Sequence, residues 1–182
     1  MGLALRVIKV YAPPAFQKKI LRELYLATAR AFDKAPPDLG GLSHAALLES
    51  YADFTRTETE RVLQDPELAA RAEDRLYARA RALGERLRRA FRLRTTREVL
   101  TTSKILYSAI GIDFEGSEPG EVTIRRCFFS RFYTPDICRV MSSADAGVAA
   151  GLSGGGRLAF SGRITEGGEV CRARLVFGGP GQ

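Results

Sequence analysis

Histidine and cysteine are scarce in this chain, and each scarcity excludes something. Only His44 among the 182 residues carries an imidazole, so proton relay through histidine has one group to draw on. No histidine stands near the serines of the C-terminal third to complete a serine triad. The three cysteines form an odd, small set, which argues against a secreted disulfide framework. No Cys-x-x-Cys pair occurs, although structural zinc wants four ligands and usually such pairs. No metal site is therefore expected. Long apolar runs are missing too: nothing approaches ~18 uninterrupted apolar residues, so no membrane span is expected. The start, Met1-Gly2-Leu3-Ala4-Leu5-Arg6, lacks the pattern of a signal peptide. A cytoplasmic location is the resulting expectation. Gly154-Gly155-Gly156 leads into neither Gly-Lys-Ser/Thr nor a strand-to-helix context, and the dinucleotide fingerprint is missing. The sequence therefore leaves any cofactor unknown.

What is present describes an ordinary globular chain. Hydrophobic residues make up 45% and charged residues 27%, which rules against disorder. A single domain over residues 1–182 is expected, with a helical half at 1–111 and a strand-helix-hairpin half at 121–178. The net charge is +7. Much of it lies in one arginine-rich helical segment, where a solvated face accounts for it. Nucleic acid is not the expected partner, because no nucleic-acid motif accompanies the charge.

Periodicity sets the elements. Leu3–Tyr11 reads as a strand or lead-in ended by Pro13-Pro14. Phe16, Ile20, Leu24 and Phe32 recur at near-helical spacing. Ser43 caps a second helix, and Asp65-Pro66-Glu67 opens a third whose apolar face runs Leu68, Ala72, Leu76, Ala80, Leu83. Thr95 and Glu98 make a capping box for a fourth helix, with Gly111 at its C-cap. Glu115–Gly120 reads as a turn-rich linker. Val122–Ile124 are β-prone and lead to Cys127. Thr134-Pro135-Asp136 starts a fifth helix. Leu158 and Phe160, then Cys171, Ala173 and Leu175, alternate with polar residues across a Glu166-Gly167-Gly168 turn, as a hairpin with one apolar face does. The class is α+β: N-terminal helices packed on a small, mainly antiparallel C-terminal sheet.

The candidate chemistry lies in the C-terminal third. Cys138 falls in the first turns of a helix, where the dipole lowers a thiol pKa and favours a nucleophilic thiolate. Cys127 follows a strand among polar and aromatic residues. Cys171 sits on an apolar strand face and reads as a small hydrophobe. Asp145 stands in a small, apolar stretch, Ser142–Gly147, where a carboxylate needs a partner. Arg163, Arg157 or Arg131 could supply it, or Asp145 could face a cavity as a general base. Phe128, Phe129, Phe132 and Tyr133 either line a pocket or fill the core. His44 reads as a solvent-facing first-turn residue.

The order Cys127, Pro135-Asp136-Ile137-Cys138, Asp145, Arg163-Ile164-Thr165-Glu166-Gly167 and Val170-Cys171 resembles the L-2-amino-thiazoline-4-carboxylic acid hydrolase family, over roughly a third of the chain. The resemblance implies an enzyme that opens a small cyclic substrate at a C=N or amide-like carbon. Asp145 would be the base, or Cys138 or Cys127 the nucleophile, and Arg163 would hold a substrate carboxylate. The usual Cys-Asp-Phe ending is here Cys171-Arg172-Ala173. The same stretch is similar to the small-molecule-binding domain named after 4-vinyl reductase, through Gly147-Val148-Ala149-Ala150-Gly151-Leu152 and the late cysteine. That likeness implies a non-catalytic sensor with Phe128, Phe129, Phe132 and Tyr133 against its ligand. The Glu-x-x-Cys zinc ligands of some members are replaced by Ser161-Gly162-Arg163-Ile164, so zinc is not carried over. Both likenesses imply a small-molecule ligand or substrate as partner, and a homodimer is compatible with either.

Overall fold

The computed structural model describes residues 13–35 and 37–177. The expected lead-in at Leu3–Tyr11 lies outside them. Five helices, α1 (Pro14–Ala31), α2 (His44–Val62), α3 (Pro66–Phe91), α4 (Thr96–Ala109) and α5 (Pro135–Ser153), combine with strands β1 (Ile112–Ser117), β2 (Glu121–Cys127), β3 (Arg157–Gly162) and β4 (Cys171–Val176). The sheet is antiparallel throughout, in the order β1-β2-β4-β3. The class is α+β, with helices first and the sheet last, and α5 crossing between β2 and β3. No described helix is long and apolar enough to cross a membrane.

Local signals explain where the helices begin. The Ser43 hydroxyl accepts from the Ala46 N–H, the Asp65 carboxylate from those of Glu67 and Leu68, and the Thr134 hydroxyl from that of Ile137. Each satisfies a donor the first turn would otherwise leave open. Thr95 and Glu98 form the full capping box. Gly111, at φ +70°, turns the chain straight from α4 into β1. The expected linker at Glu115–Gly120 is therefore corrected: Glu115–Ser117 belong to β1, paired with Glu121–Thr123. Turn-formers dominate that stretch, yet only Glu118–Gly120 turn, because β2 supplies a partner ladder.

Alternation along the strands fixes the buried face. Ile112 and Phe114, Val122 and Ile124, and Cys171, Ala173 and Leu175 point into the core, while their neighbours face outward. The helices cover that face. One hydrophobic cluster joins Leu21, Tyr25, Leu47 and Tyr51 of the helices to these strand residues. Helices α3 and α5 meet at glycines: Gly84 of α3 lies against Gly151 of α5, and Gly147 of α5 against Tyr77, Ala80 and Arg81 of α3. A Cβ at Gly147 would stand 2.3 Å from the Tyr77 carbonyl oxygen, and one at Gly151 2.3 Å from that of Arg81. The absent side chains let the two backbones touch.

Candidate functional site

Where the helices meet the sheet they leave a cavity of about 110 Å³. Helix α5 supplies one wall through Cys138, Met141, Ala144, Asp145 and Val148, which its turn places on one face. Tyr107 of α4 and Ile110 at its C-cap, Tyr51 of α2 and Leu24 of α1 face it, and Cys127 at the end of β2 and Tyr133 beyond it close the side. The lining is almost wholly apolar, with the Asp145 carboxylate as its charged group.

Asp145 is the electrostatic centre of this site. The Tyr107 hydroxyl donates to its Oδ1 at 2.8 Å. Burial pushes its carboxyl up from 3.8 to about 6, and only in part do the Tyr107 hydrogen bond and the Arg163 guanidinium draw it back. Its charge in turn raises Tyr51, Tyr107, Tyr133 and all three thiols, each already lifted mainly by burial. Asp145 is half-buried and lines the cavity. A carboxyl that ionises near neutrality, in a mostly apolar cavity and fixed by one donor, can give or take a proton.

The thiols differ from the sequence reading in one respect. Cys138 does lie in the first turns of α5, but burial outweighs the dipole and raises its pKa. Cys127 is pushed up to about 12, by burial first. Both line the cavity as neutral thiols. Cys171 stays on the buried strand face, where its Sγ accepts from the Ile164 N–H.

The structure gathers most of the sequence-selected residues and separates others. Asp145, Cys127, Cys138 and Tyr133 converge on the cavity. Arg163 stands beside it, close enough to bear on Asp145, with its guanidinium over the Phe160 ring and paired with Glu166 at 3.6 Å. Its Nε is buried with no hydrogen-bond partner among the described residues. Phe128 lies apart: it stacks under Arg131 at 4.2 Å and packs on Phe132, outside the lining. Of the alternatives open for Asp145, a place on the cavity wall is the one it takes, with Arg163 near enough to act on it by charge alone. Arg131 pairs with Glu49, Arg163 with Glu166, and the hydrogen bond to Asp145 comes from Tyr107. Tyr107 is not among the residues the sequence reading singles out. A buried phenol needs a hydrogen-bond partner, and that need was the available signal. His44 does not simply face solvent: its Nε2 donates to the Ala109 carbonyl at 2.8 Å and ties α2 to the end of α4.

Two further arrangements carry no chemistry. Gly151-Leu152-Ser153-Gly154-Gly155 has the spacing of a nucleophile elbow, but it ends a helix, and the Ser153 hydroxyl bonds back to the Ala149 carbonyl. An elbow instead turns from strand to helix. Among the described residues no three His, Cys, Asp or Glu side chains are grouped to hold a metal. Comparison with protein-family models and with curated proteins returns no match for this chain.

Proposed function

We propose that the chain is a hydrolase-like enzyme that draws one compact cyclic molecule into the cavity and hydrates a C=N or amide-like carbon, with Asp145 as the general base. The observation that carries the reading is a single carboxylate, anchored by Tyr107, in an apolar cavity of about 110 Å³. An apolar cavity of about 150 Å³ holds a benzene ring, so this one suits a five-membered ring. In the reaction Asp145 takes a proton from water as the water oxygen bonds to the ring carbon. The C=N π pair moves to nitrogen, which receives that proton from Asp145. The adduct then expels the ring amine or thiol as the carbonyl forms, and its hydroxyl proton passes to the leaving group. One water is consumed. The raised thiols favour this route over attack by Cys138 or Cys127, since the thiolate is the nucleophile. Arg163, whose buried Nε has no partner among the described residues, would hold a ring carboxylate at the cavity edge through its guanidinium. A cytoplasmic setting suits three free thiols.

The test is product formation from a panel of thiazolines, cyclic imines and small lactams, followed by mass spectrometry. Wild type should turn over at least one, at a rate that rises with pH through about 6 as Asp145 ionises, and Asp145→Asn should abolish it. Equal rates in the two proteins would refute the role. The apolar lining also favours a second reading, a sensor that binds such a ring without changing it. Saturable binding with no product across the panel would establish that reading instead.

A further inference from the structure

Away from the cavity, a cleft of about 740 Å³ forms where the end of α3, the turn into α4 and the end of α5 meet. Five arginines line it, Arg81, Arg88, Arg89, Arg92 and Arg94, with one acid, Glu85. Glu85 is already held by Arg81 at 3.0 Å. Among the described residues no carboxylate pairs with the other four arginines. Two helix C-termini lie at the cleft, and each presents about −0.5 charge. With the opposing N-terminus of α4 and the Glu98 carboxylate, which accepts from the Arg94 N–H at 2.9 Å, they offset about one to two of the four guanidinium charges and leave about two or more uncompensated. Elsewhere on α3, Arg71 pairs with Glu67, Arg75 with Asp33 and Arg86 with Glu23, while Arg79 has no carboxylate partner among the described residues.

The backbone gives up conformational ease to keep this array. Arg92 is the C-cap of α3 at φ +52°, where glycine is the residue without a Cβ penalty. Gly154, at φ +81°, leaves room for Arg88: a Cβ there would stand 1.8 Å from the Arg88 Nη1. The chemistry of the lining narrows the partner. No aromatic side chain lines the cleft to stack on a nucleobase. Its one apolar residue, Leu93, is buried, so nothing there can enter a bilayer. The volume is that of a small-molecule site, and guanidinium forks match phosphate oxygens.

We propose that this cleft binds a compact anion carrying a chain of two or three phosphates, at a site separate from the Asp145 cavity. Titration calorimetry with inorganic tripolyphosphate, at constant ionic strength and beside orthophosphate and sulfate, tests it. Tripolyphosphate should bind at least tenfold tighter than orthophosphate, and Arg88→Glu should lose at least tenfold. Arg92→Gly separates binding from structure: it should raise the Tm by relieving the left-handed backbone while weakening binding several-fold. The proposal is overturned if tripolyphosphate binds no tighter than orthophosphate, or if both variants bind it as wild type does. It is equally overturned if anionic vesicles or single-stranded RNA bind this face and tripolyphosphate does not displace them.

Discussion

At the scale of single residues, Asp145 sets the behaviour of the site, and its cost is measurable. A carboxyl raised from 3.8 to about 6 holds its proton more tightly in the folded chain than in the unfolded one. Between those values the folded state binds more protons, so stability falls as pH rises from about 4 to about 6 and is level above. The span is about 3 kcal/mol, since each pKa unit is worth 1.36 kcal/mol. Asparagine keeps the shape and cannot ionise. Asp145→Asn should therefore remove this slope from urea unfolding curves taken between pH 4 and 7, and should be the more stable protein at pH 7. The same variant is predicted to lose turnover, so a gain in stability beside a loss of activity would separate function from folding. A wild-type slope in the variant would place the titration on another group.

Between elements, the decisive contact is α3 against α5. Alanine is the better helix former by about 1 kcal/mol, so Gly151→Ala would stabilise an isolated helix. Here its Cβ meets the Arg81 carbonyl oxygen at 2.3 Å and the Glu85 nitrogen at 2.7 Å. Both are backbone atoms and yield only if the helices part. Overpacking of this kind costs about 1–3 kcal/mol, which exceeds the propensity gain. The expected outcome is a Tm lowered by several degrees in thermal unfolding, with Gly162→Ala unchanged, because nothing lies within 4 Å of a Cβ there. Much at this scale could be read in the sequence. Caps are local, and Ser43, Asp65, Thr95 and Thr134 all start the helices they announce. The alternation Cys171, Ala173, Leu175 marks the buried face of β4. The α3–α5 contact could not be read, because it depends on Gly84 and Gly151 meeting across 67 residues of chain. Glu115–Gly120 misleads for the same reason: turn chemistry is local, and the β2 partner that recruits half of it is not.

For the whole molecule, the fold acts as a clamp: helices from the first half and strands from the second close on one small void. Asp145, Cys127, Cys138 and Tyr133 were recognisable in the sequence as residue types suited to chemistry. Their meeting was not, since the cavity draws its walls from α1, α2, α3, α4 and α5 together. Nor was the partnership with Tyr107, 38 residues away on another helix. A void shared by so many elements links occupancy to global stability. A ligand present at a hundred times its Kd adds about 2.7 kcal/mol. For a chain of this size 1 kcal/mol moves the Tm by about 2–4 °C, so a ring that fills the cavity should raise it by about 5–10 °C. Ala144 lines the same space, and leucine there would occupy much of it. Ala144→Leu should melt near the wild-type temperature without ligand and lose the ligand-induced rise, read by scanning calorimetry. A rise that survives in Ala144→Leu would mean that the ring binds somewhere other than beside Asp145.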